Sequence, residues 1–151
     1  MTTKSLVSRL VIETTRAPEF VDITDRVLDQ VRASGARDGL VSVYSMHTTA
    51  AIKINEHEPL LIKDMEEFLC RLAAPEAYYR HNDFTIRTVN MTEDECPNGH
   101  AHCQQLLMST SETLPLIDGQ LMLGQWQRIF MIELDGTRPR TREVLVTVVA
   151  A

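Results

Sequence analysis

Glu112-Thr-Leu-Pro-Leu-Ile117-Asp118-Gly119-Gln120-Leu-Met-Leu123 decides the fold of this chain. Residues 112–117 and 120–123 are two apolar-rich runs. Between them stands Asp-Gly, a dipeptide favoured in two-residue hairpin turns because both central positions need positive φ. The two runs are therefore predicted as paired antiparallel strands. Two further strands are predicted over residues 126–134 and 143–150, joined through Asp135-Gly136-Thr137-Arg138-Pro139. Both are apolar on two faces: Ile129 and Met131 against Phe130 and Ile132, then Leu145 and Val149 against Val144, Val146 and Val148. Such strands must be covered on both sides, by helices, a second sheet or a neighbouring subunit.

Towards the N-terminus, residues 6–13, 40–46 and 50–55 read as further strands rich in β-branched residues. A helix is predicted over residues 24–34, with Thr24 as its N-cap, Val27, Leu28 and Val31 as its apolar stripe, and Gly35 at its stop. The clearest helix spans residues 59–73. Pro59 stands in its first turn, and Leu61, Met65, Phe68, Leu69 and Leu72 recur at helical spacing. Residues 74–98 lack periodicity and form a long loop, a kind of segment that often carries function. A short helix follows from about His100 to Ser109. The expectation is one α+β domain over residues 1–151, with largely antiparallel β-sheets in a sandwich-like core and about three helices.

Composition bounds the function. The chain has 151 residues and a net charge of −6, which argues against a nucleic-acid partner. An anionic small molecule stays possible, because local imidazoles and guanidinium groups override the global charge. No apolar run approaches the roughly 18 residues of a membrane span. The N-terminal Met1-Thr2-Thr3-Lys4-Ser5 lacks a signal peptide's apolar stretch. Three cysteines, Cys70, Cys96 and Cys103, fit a disulfide framework poorly. They are expected as small core residues of a cytoplasmic protein.

The histidines carry the chemical signal. His47 ends a predicted strand, where the strand can anchor it at a cleft; its plainer reading is a histidine bonded to backbone. Asn98-Gly99-His100-Ala101-His102 holds two imidazoles in a short segment, able to share a divalent cation if extended. In a helix they stand about 200° apart, so only one would face a site. His81, on the long loop, could complete a three-histidine set that leaves one position open. Glu56 and Asp64 are candidate bases or orienting carboxylates, although Asp64 also fits a solvated helix face. Glu112 and Glu133 lie in apolar strands and are candidates for burial with a paired charge. Arg128, Arg138, Arg140 and Arg142 could fork onto phosphate, and the single Trp126 is expected to be packed, with a subunit interface as one place for it.

These segments together resemble a known family. The matching stretches run in order: His47-Thr-Thr-Ala-Ala-Ile-Lys-Ile-Asn55-Glu56, Asp64, Tyr79-Arg-His81, Asn98-Gly-His-Ala-His102, Ser111-Glu112-Thr-Leu-Pro115, and Asp118-Gly-Gln-Leu-Met-Leu-Gly124-Gln-Trp126-Gln127. The chain is similar to the YjbQ-like family, also called secondary thiamine-phosphate synthase. Gln125 replaces the Thr usual in the family's Gly-Thr-Trp-Gln segment. The first histidine of His-x-His is absent in some relatives, which makes His102 a stronger candidate than His100. The cysteines lie outside the pattern. The resemblance implies a homotrimer and a site around His47, His81 and His102 near a subunit boundary, with a divalent metal, zinc or magnesium. It also implies weak activity joining an aminopyrimidine diphosphate to a thiazole phosphate; from their residue type, Arg138 or Arg140 could then clamp phosphate oxygens. Two other expectations stand beside it: a metal-dependent hydrolase with Glu56 or Asp64 as base, and a trimeric protein that holds a metal or anion without catalysis.

Overall fold

The hairpin at Asp118-Gly119 forms as its sequence requires. Asp118 has φ 51° and Gly119 has φ 77°, both in the left-handed region. The turn is tied to the preceding chain by Asp118 N–H donating to Asp38 Oδ1 at 3.0 Å and Gly119 N–H donating to the Arg37 carbonyl at 2.7 Å. The fold is a computed structural model, which describes residues 5–151. Residues 1–4, most of the stretch read for a signal peptide, lie outside it.

The described chain has eight strands: β1 (Ser5–Thr14), β2 (Glu19–Asp22), β3 (Gly39–Ser45), β4 (Ala50–Glu56), β5 (Ser111–Ile117), β6 (Gln120–Leu121), β7 (Gln127–Glu133) and β8 (Arg140–Ala150). The helices are α1 (Thr24–Ser34), α2 (Pro59–Leu72) and α3 (Gly99–Gln105), with a short 3-10 turn at Arg80–Asn82. A five-stranded sheet runs β1-β8-β3-β5-β6, and a three-stranded sheet runs β2-β7-β4; every pairing is antiparallel. The class is α+β, as expected.

Two apolar clusters hold the layers. One lies between the sheets and takes Val41, Val43, Val144 and Val146 from one, Ile52, Ile129 and Met131 from the other, and Val27 and Val31 from α1. The other lies on the far side of the small sheet, where Ala51, Phe130 and Ile132 meet Leu69 of α2 and Ala101 of α3. The doubly apolar β7 is thus covered on both faces within the chain, at roughly 1.5–3 kcal/mol for each large side chain buried. Among the described residues nothing covers the outer face of the five-stranded sheet: Val7, Val11, Leu40, Tyr44 and Val149 are exposed.

Several sequence expectations change. β2 was not predicted. It is four residues long, and its partner β7 supplies the pairing that a pattern so short cannot signal. Thr24 does not cap α1; it is the first helical residue, Asp22 Oδ1 accepts its N–H at 3.0 Å, and its hydroxyl accepts from Ile129 N–H at 2.8 Å. The second hairpin strand shrinks to Gln120–Leu121, and α3 stops at Gln105. Along α2 only Leu69 is buried, while Phe68 and Leu72 stay exposed, because the helix lies over a narrow sheet. Cys103 is exposed, and Cys70 and Cys96 are half-buried, so none is a core residue. Trp126 is 64% exposed and is not packed within the chain.

One buried ion pair ties both sheets together. Glu133, at the end of β7, is fully buried and Arg142 of β8 nearly so. Glu133 Oε1 accepts from Arg142 Nε at 2.8 Å and from Thr14 Oγ1 at 2.6 Å. Oε2 accepts from Arg142 Nη2 and from the N–H groups of Leu134 and Asp135, both at 3.1 Å. Arg142 Nη2 also donates to Thr49 Oγ1 at 2.9 Å. The expected burial and pairing of Glu133 hold; Glu112 is only half-buried, accepts from Ser109 Oγ at 2.8 Å and pairs with Lys53 at 3.9 Å. Removing one member of such a pair strands the other charge. Arg142→Met is expected to lower unfolding free energy in urea by roughly 3–5 kcal/mol, and adding Glu133→Gln should recover part of the loss.

Candidate functional site

His81 and His102 meet edge to face, with ring centroids 4.7 Å apart. They come from opposite ends of the long loop. The 3-10 turn carries His81, and α3 carries His102. Two contacts clamp these ends together. Gly99 N–H donates to Asn82 Oδ1 at 2.8 Å, and a Cβ at position 99 would lie 2.6 Å from Tyr79 Cβ. Only glycine permits that approach. The Tyr79 hydroxyl in turn donates to the Ala74 carbonyl at 2.9 Å.

The charges around the pair are ordered. Asp135, fully buried in its side chain, accepts from Asn98 Nδ2 at 2.8 Å and pairs with Arg140. Burial pushes its carboxyl up, but hydrogen bonds from Thr137 and Asn98, with Arg140 nearby, outweigh this and hold it below the ordinary carboxylate value. Arg138 pairs with Asp94. His81 opens onto a cleft of about 450 Å³ that Arg80 and Arg87 also line. Arg87 donates to the His81 carbonyl at 3.3 Å and pairs with Glu95 at 2.7 Å. Arg80 has no ion pair among the described residues.

His47 stands apart. Its Nε2 accepts the Glu143 N–H at 2.8 Å, which leaves the proton of the neutral ring on Nδ1. Its free nitrogen is therefore a donor, suited to an anionic oxygen. Burial and the nearby Arg142 lower its pKa, against Glu133 and Glu143.

His100 and His102 diverge as the helical reading predicts. His100 is buried against Tyr79, ring centroids 6.4 Å apart, while His102 turns to His81. Asp64 is exposed on α2, and Glu56 lines a different cleft, beside His57 and Trp126. No three His, Cys, Asp or Glu side chains gather to hold a metal among the described residues. The chain brings two imidazoles together, one short of the usual three-ligand catalytic zinc set, and Asp135 is committed to Arg140 and Asn98. Alone, these residues do not complete a metal centre.

Sequence reasoning passed over two groups. Arg80 and Arg87 were not singled out, although Arg80 directly precedes His81. His57, which no sequence motif singles out, bonds through Nδ1 to Asp22 Oδ2 at 2.8 Å, and Arg128 Nε donates to the same oxygen at 2.8 Å. Burial would raise the Asp22 carboxyl, but Arg128, Thr24 and His57 hold it well below the usual range. Their shared anchor lies on the unpredicted β2, so no sequence spacing pointed to it.

Burial lowers the pKa of His47, His100 and His102 below the ordinary 6.5. Below pH 6.5 the unfolded chain therefore binds protons that the folded chain refuses. Unfolding free energy is expected to fall as pH drops from 7.5 through 6.5 to 5.5, and His102→Gln should flatten that slope in urea titrations. Gly99→Ala should separate the histidine pair, seen as loss of mutual ring-current shifts in the His81 and His102 NMR signals.

Comparison with known proteins agrees with this fold. The family model described as UPF0047 protein YjbQ-like matches residues 8–151. A UPF0047 protein of Methanothermobacter thermautotrophicus is 38% identical over 139 residues, covering 92% of this chain and 88% of that protein. Another, from Archaeoglobus fulgidus, is 39% identical over 137 residues, covering 91% and 96%. The crystal structure of a YbjQ-like protein of unknown function from Sulfolobus solfataricus superposes with a TM-score of 0.87 at 32% identity, covering 99% of this chain and all of that one. A hypothetical protein of Aeropyrum pernix gives 0.82 at 32% identity, covering 97% and 98%. With the match running nearly end to end, this chain belongs to the UPF0047, YjbQ-like family.

Proposed function

We propose that this protein is a small-molecule enzyme that acts on a phosphorylated or otherwise anionic substrate at His81 and His102. One observation carries the reading: His81, in edge-to-face contact with His102, opens onto a cleft lined by Arg80 and Arg87 in a chain of net charge −6. Local cations on an acidic protein focus an anion to one place. Arg80, unpaired among the described residues, forks onto the substrate's phosphate, and Arg87, half-buried, holds the loop. Arg138, exposed and paired with Asp94, can exchange that carboxylate for a phosphate oxygen, whereas Arg140 orients Asp135. His102, whose pKa is lowered by burial and by the adjacent His81, presents a neutral imidazole able to accept a proton from the substrate.

The resemblance of motifs makes the joining of an aminopyrimidine diphosphate to a thiazole phosphate the first reaction to test. In that reaction the carbon–oxygen bond to diphosphate breaks, the thiazole nitrogen forms the new carbon–nitrogen bond, and pyrophosphate leaves. Arg80 and the imidazoles would stabilise the charge that develops on the leaving group. A metal would need a further ligand from outside this pair, and His47 does not supply it here: with Nε2 accepting the Glu143 N–H, its Nδ1 carries the proton and is suited to donate to a substrate oxygen. Assembly as a homotrimer is supported by the uncovered outer face of the five-stranded sheet, with Val7, Val11, Leu40, Tyr44 and Val149 exposed. The hydrolase reading is less favoured, because Glu56 and Asp64 are not gathered with the histidine pair.

Pyrophosphate should bind the full-length protein in calorimetry, and Arg80→Ala and His102→Ala should each weaken it at least tenfold. Both variants should lower pyrophosphate release from the two-substrate mixture by 10²-fold or more. Pyrophosphate release without the thiazole phosphate would shift the assignment to hydrolysis, and unaltered binding by both variants would remove the site. Light scattering should give three copies of the chain, and Leu40→Lys should shift it towards monomer.

A further inference from the structure

The Gly124-x-Trp126-Gln127 segment holds its indole in the open. Gln127 N–H donates to the Gly124 carbonyl at 3.0 Å, and Gly124 N–H donates to Gln127 Oε1 at 2.7 Å. These reciprocal bonds close a turn with Trp126 inside it, and the residue stays 64% exposed. An indole carries one of the largest apolar surfaces of any side chain, so fixing it in water forgoes a large stabilisation. The register of β4 and β7 pairs Glu56 with Gln127, which makes His57 and Trp126 the next step along the two strands. Asp22 ends β2 at the same end of the small sheet. These strand ends enclose a cleft of about 390 Å³, lined by Asp22, Glu56, His57, Pro59, Trp126 and Arg128. That volume is within the range of small-molecule pockets.

Its polar groups are both oriented and accessible. His57 Nδ1 and Arg128 Nε each lie 2.8 Å from Asp22 Oδ2. A carboxylate only accepts, so Nδ1 carries the proton, and in the neutral ring Nε2 is an acceptor. The imidazole also meets Phe130 edge to face, ring centroids 5.4 Å apart, which steadies its plane. Nε2 has no hydrogen-bond partner among the described residues, and the His57 side chain is 47% exposed, so a solute can reach it. Arg128 is claimed twice, by Asp22 and, at 3.3 Å, by Asp25. Glu56 has no ion pair among the described residues. With Asp22 and Arg128 balancing each other, Glu56 leaves the cleft negative. Three of its features attract the same kind of group: Glu56 and His57 Nε2 accept hydrogen bonds, and the face of an indole attracts a cation. The cleft at His81 is lined instead by Arg80 and Arg87.

We propose that this end of the small sheet is a second binding site, for a primary ammonium ion carried on a flat apolar body. The ammonium donates to Glu56 and to His57 Nε2, and the body lies on Trp126 against Pro59. Asp22 is a positioning residue, which fixes the imidazole with Nε2 as the accepting nitrogen. An anion is disfavoured by the charge of Glu56, and a quaternary ammonium lacks the N–H groups that two acceptors require. The site is independent of the cleft at His81 and shares no residue with it.

Phenethylamine is the probe. Its controls are phenethyl alcohol, which keeps the body without the charge, and phenethyltrimethylammonium, which keeps the charge without the N–H groups. At about pH 8 an alkylammonium is charged and an ordinary imidazole is neutral. Trp126 is the chain's one tryptophan, so its emission reports on this site directly. Titrating the full-length protein with phenethylamine should change that emission saturably, with a millimolar Kd, and both controls should bind at least tenfold more weakly. Glu56→Gln, which keeps the shape without the charge, and His57→Phe, which keeps a ring beside Phe130 without Nε2, should each weaken the amine at least tenfold. Arg80→Ala should leave amine binding unchanged, separating this site from the one for anions. No saturable change, equal affinity for either control, or unaltered binding by both Glu56→Gln and His57→Phe would overturn the proposal. So would Trp126 emission that moves to the blue with protein concentration alone, which would show that a second copy of the chain covers the indole.

Discussion

A carboxylate sealed from water must find positive charge and donors nearby, and in this protein Glu133 finds them all at one junction. Arg142 comes from β8 in the large sheet, Thr14 from β1 beside it, and Thr49 from the threshold of β4 in the small one. The backbone N–H groups of Leu134 and Asp135 close the remaining positions. Apolar packing alone would let two sheets slide over one another, since dispersion has little directional preference. Charge-assisted hydrogen bonds with fixed geometry do not. The junction therefore sets where the β7–β8 connection begins, and with it the place of Asp135 and Arg140. His47 reaches the same neighbourhood through the Glu143 N–H. Features far apart in sequence are thus referred to one coordinate origin.

From that origin the chemistry divides along a helix only seven residues long. The period of an α-helix sends alternate residues to nearly opposite sides. His102 meets His81, whose ring opens onto the cationic cleft, while His100 joins Gln104 at an apolar one. A strand would have pointed both imidazoles the same way. The choice of helix at Gly99 therefore determines whether His-x-His offers His81 one imidazole or two, and Gly99 is also the residue that lets the helix sit against Tyr79.

Much of this was legible in the chain itself. The Asp-Gly turn, the doubly apolar strands and the 3.6-residue stripe of α1 each express a local rule with one strong solution. The helical divergence of His100 and His102 followed from the same kind of rule. What stayed hidden depends on partners distant in sequence. β2 is too short to carry a pattern and exists because β7 pairs with it. Asp22 could not be matched to His57 and Arg128 before that strand was in place. The partners of Arg138 and Arg140, and the exposure of Trp126 and Cys103, likewise come from tertiary arrangement. A motif identifies a residue type; it does not say which charges have already been claimed.

The clamp between Asn82, Tyr79 and Gly99 has a consequence for evolution. It closes the excursion over residues 83–98 at its base, so that beyond Arg87, which donates to the His81 carbonyl, the two histidines face each other with little help from the chain between them. The entropic cost of a longer closed loop grows only logarithmically, by about 0.6 kcal/mol for each doubling of length. Insertions, deletions and new side chains can accumulate in that excursion while the imidazole pair keeps its geometry. The loop is a place where substrate preference can be rewritten without rebuilding the centre beneath it.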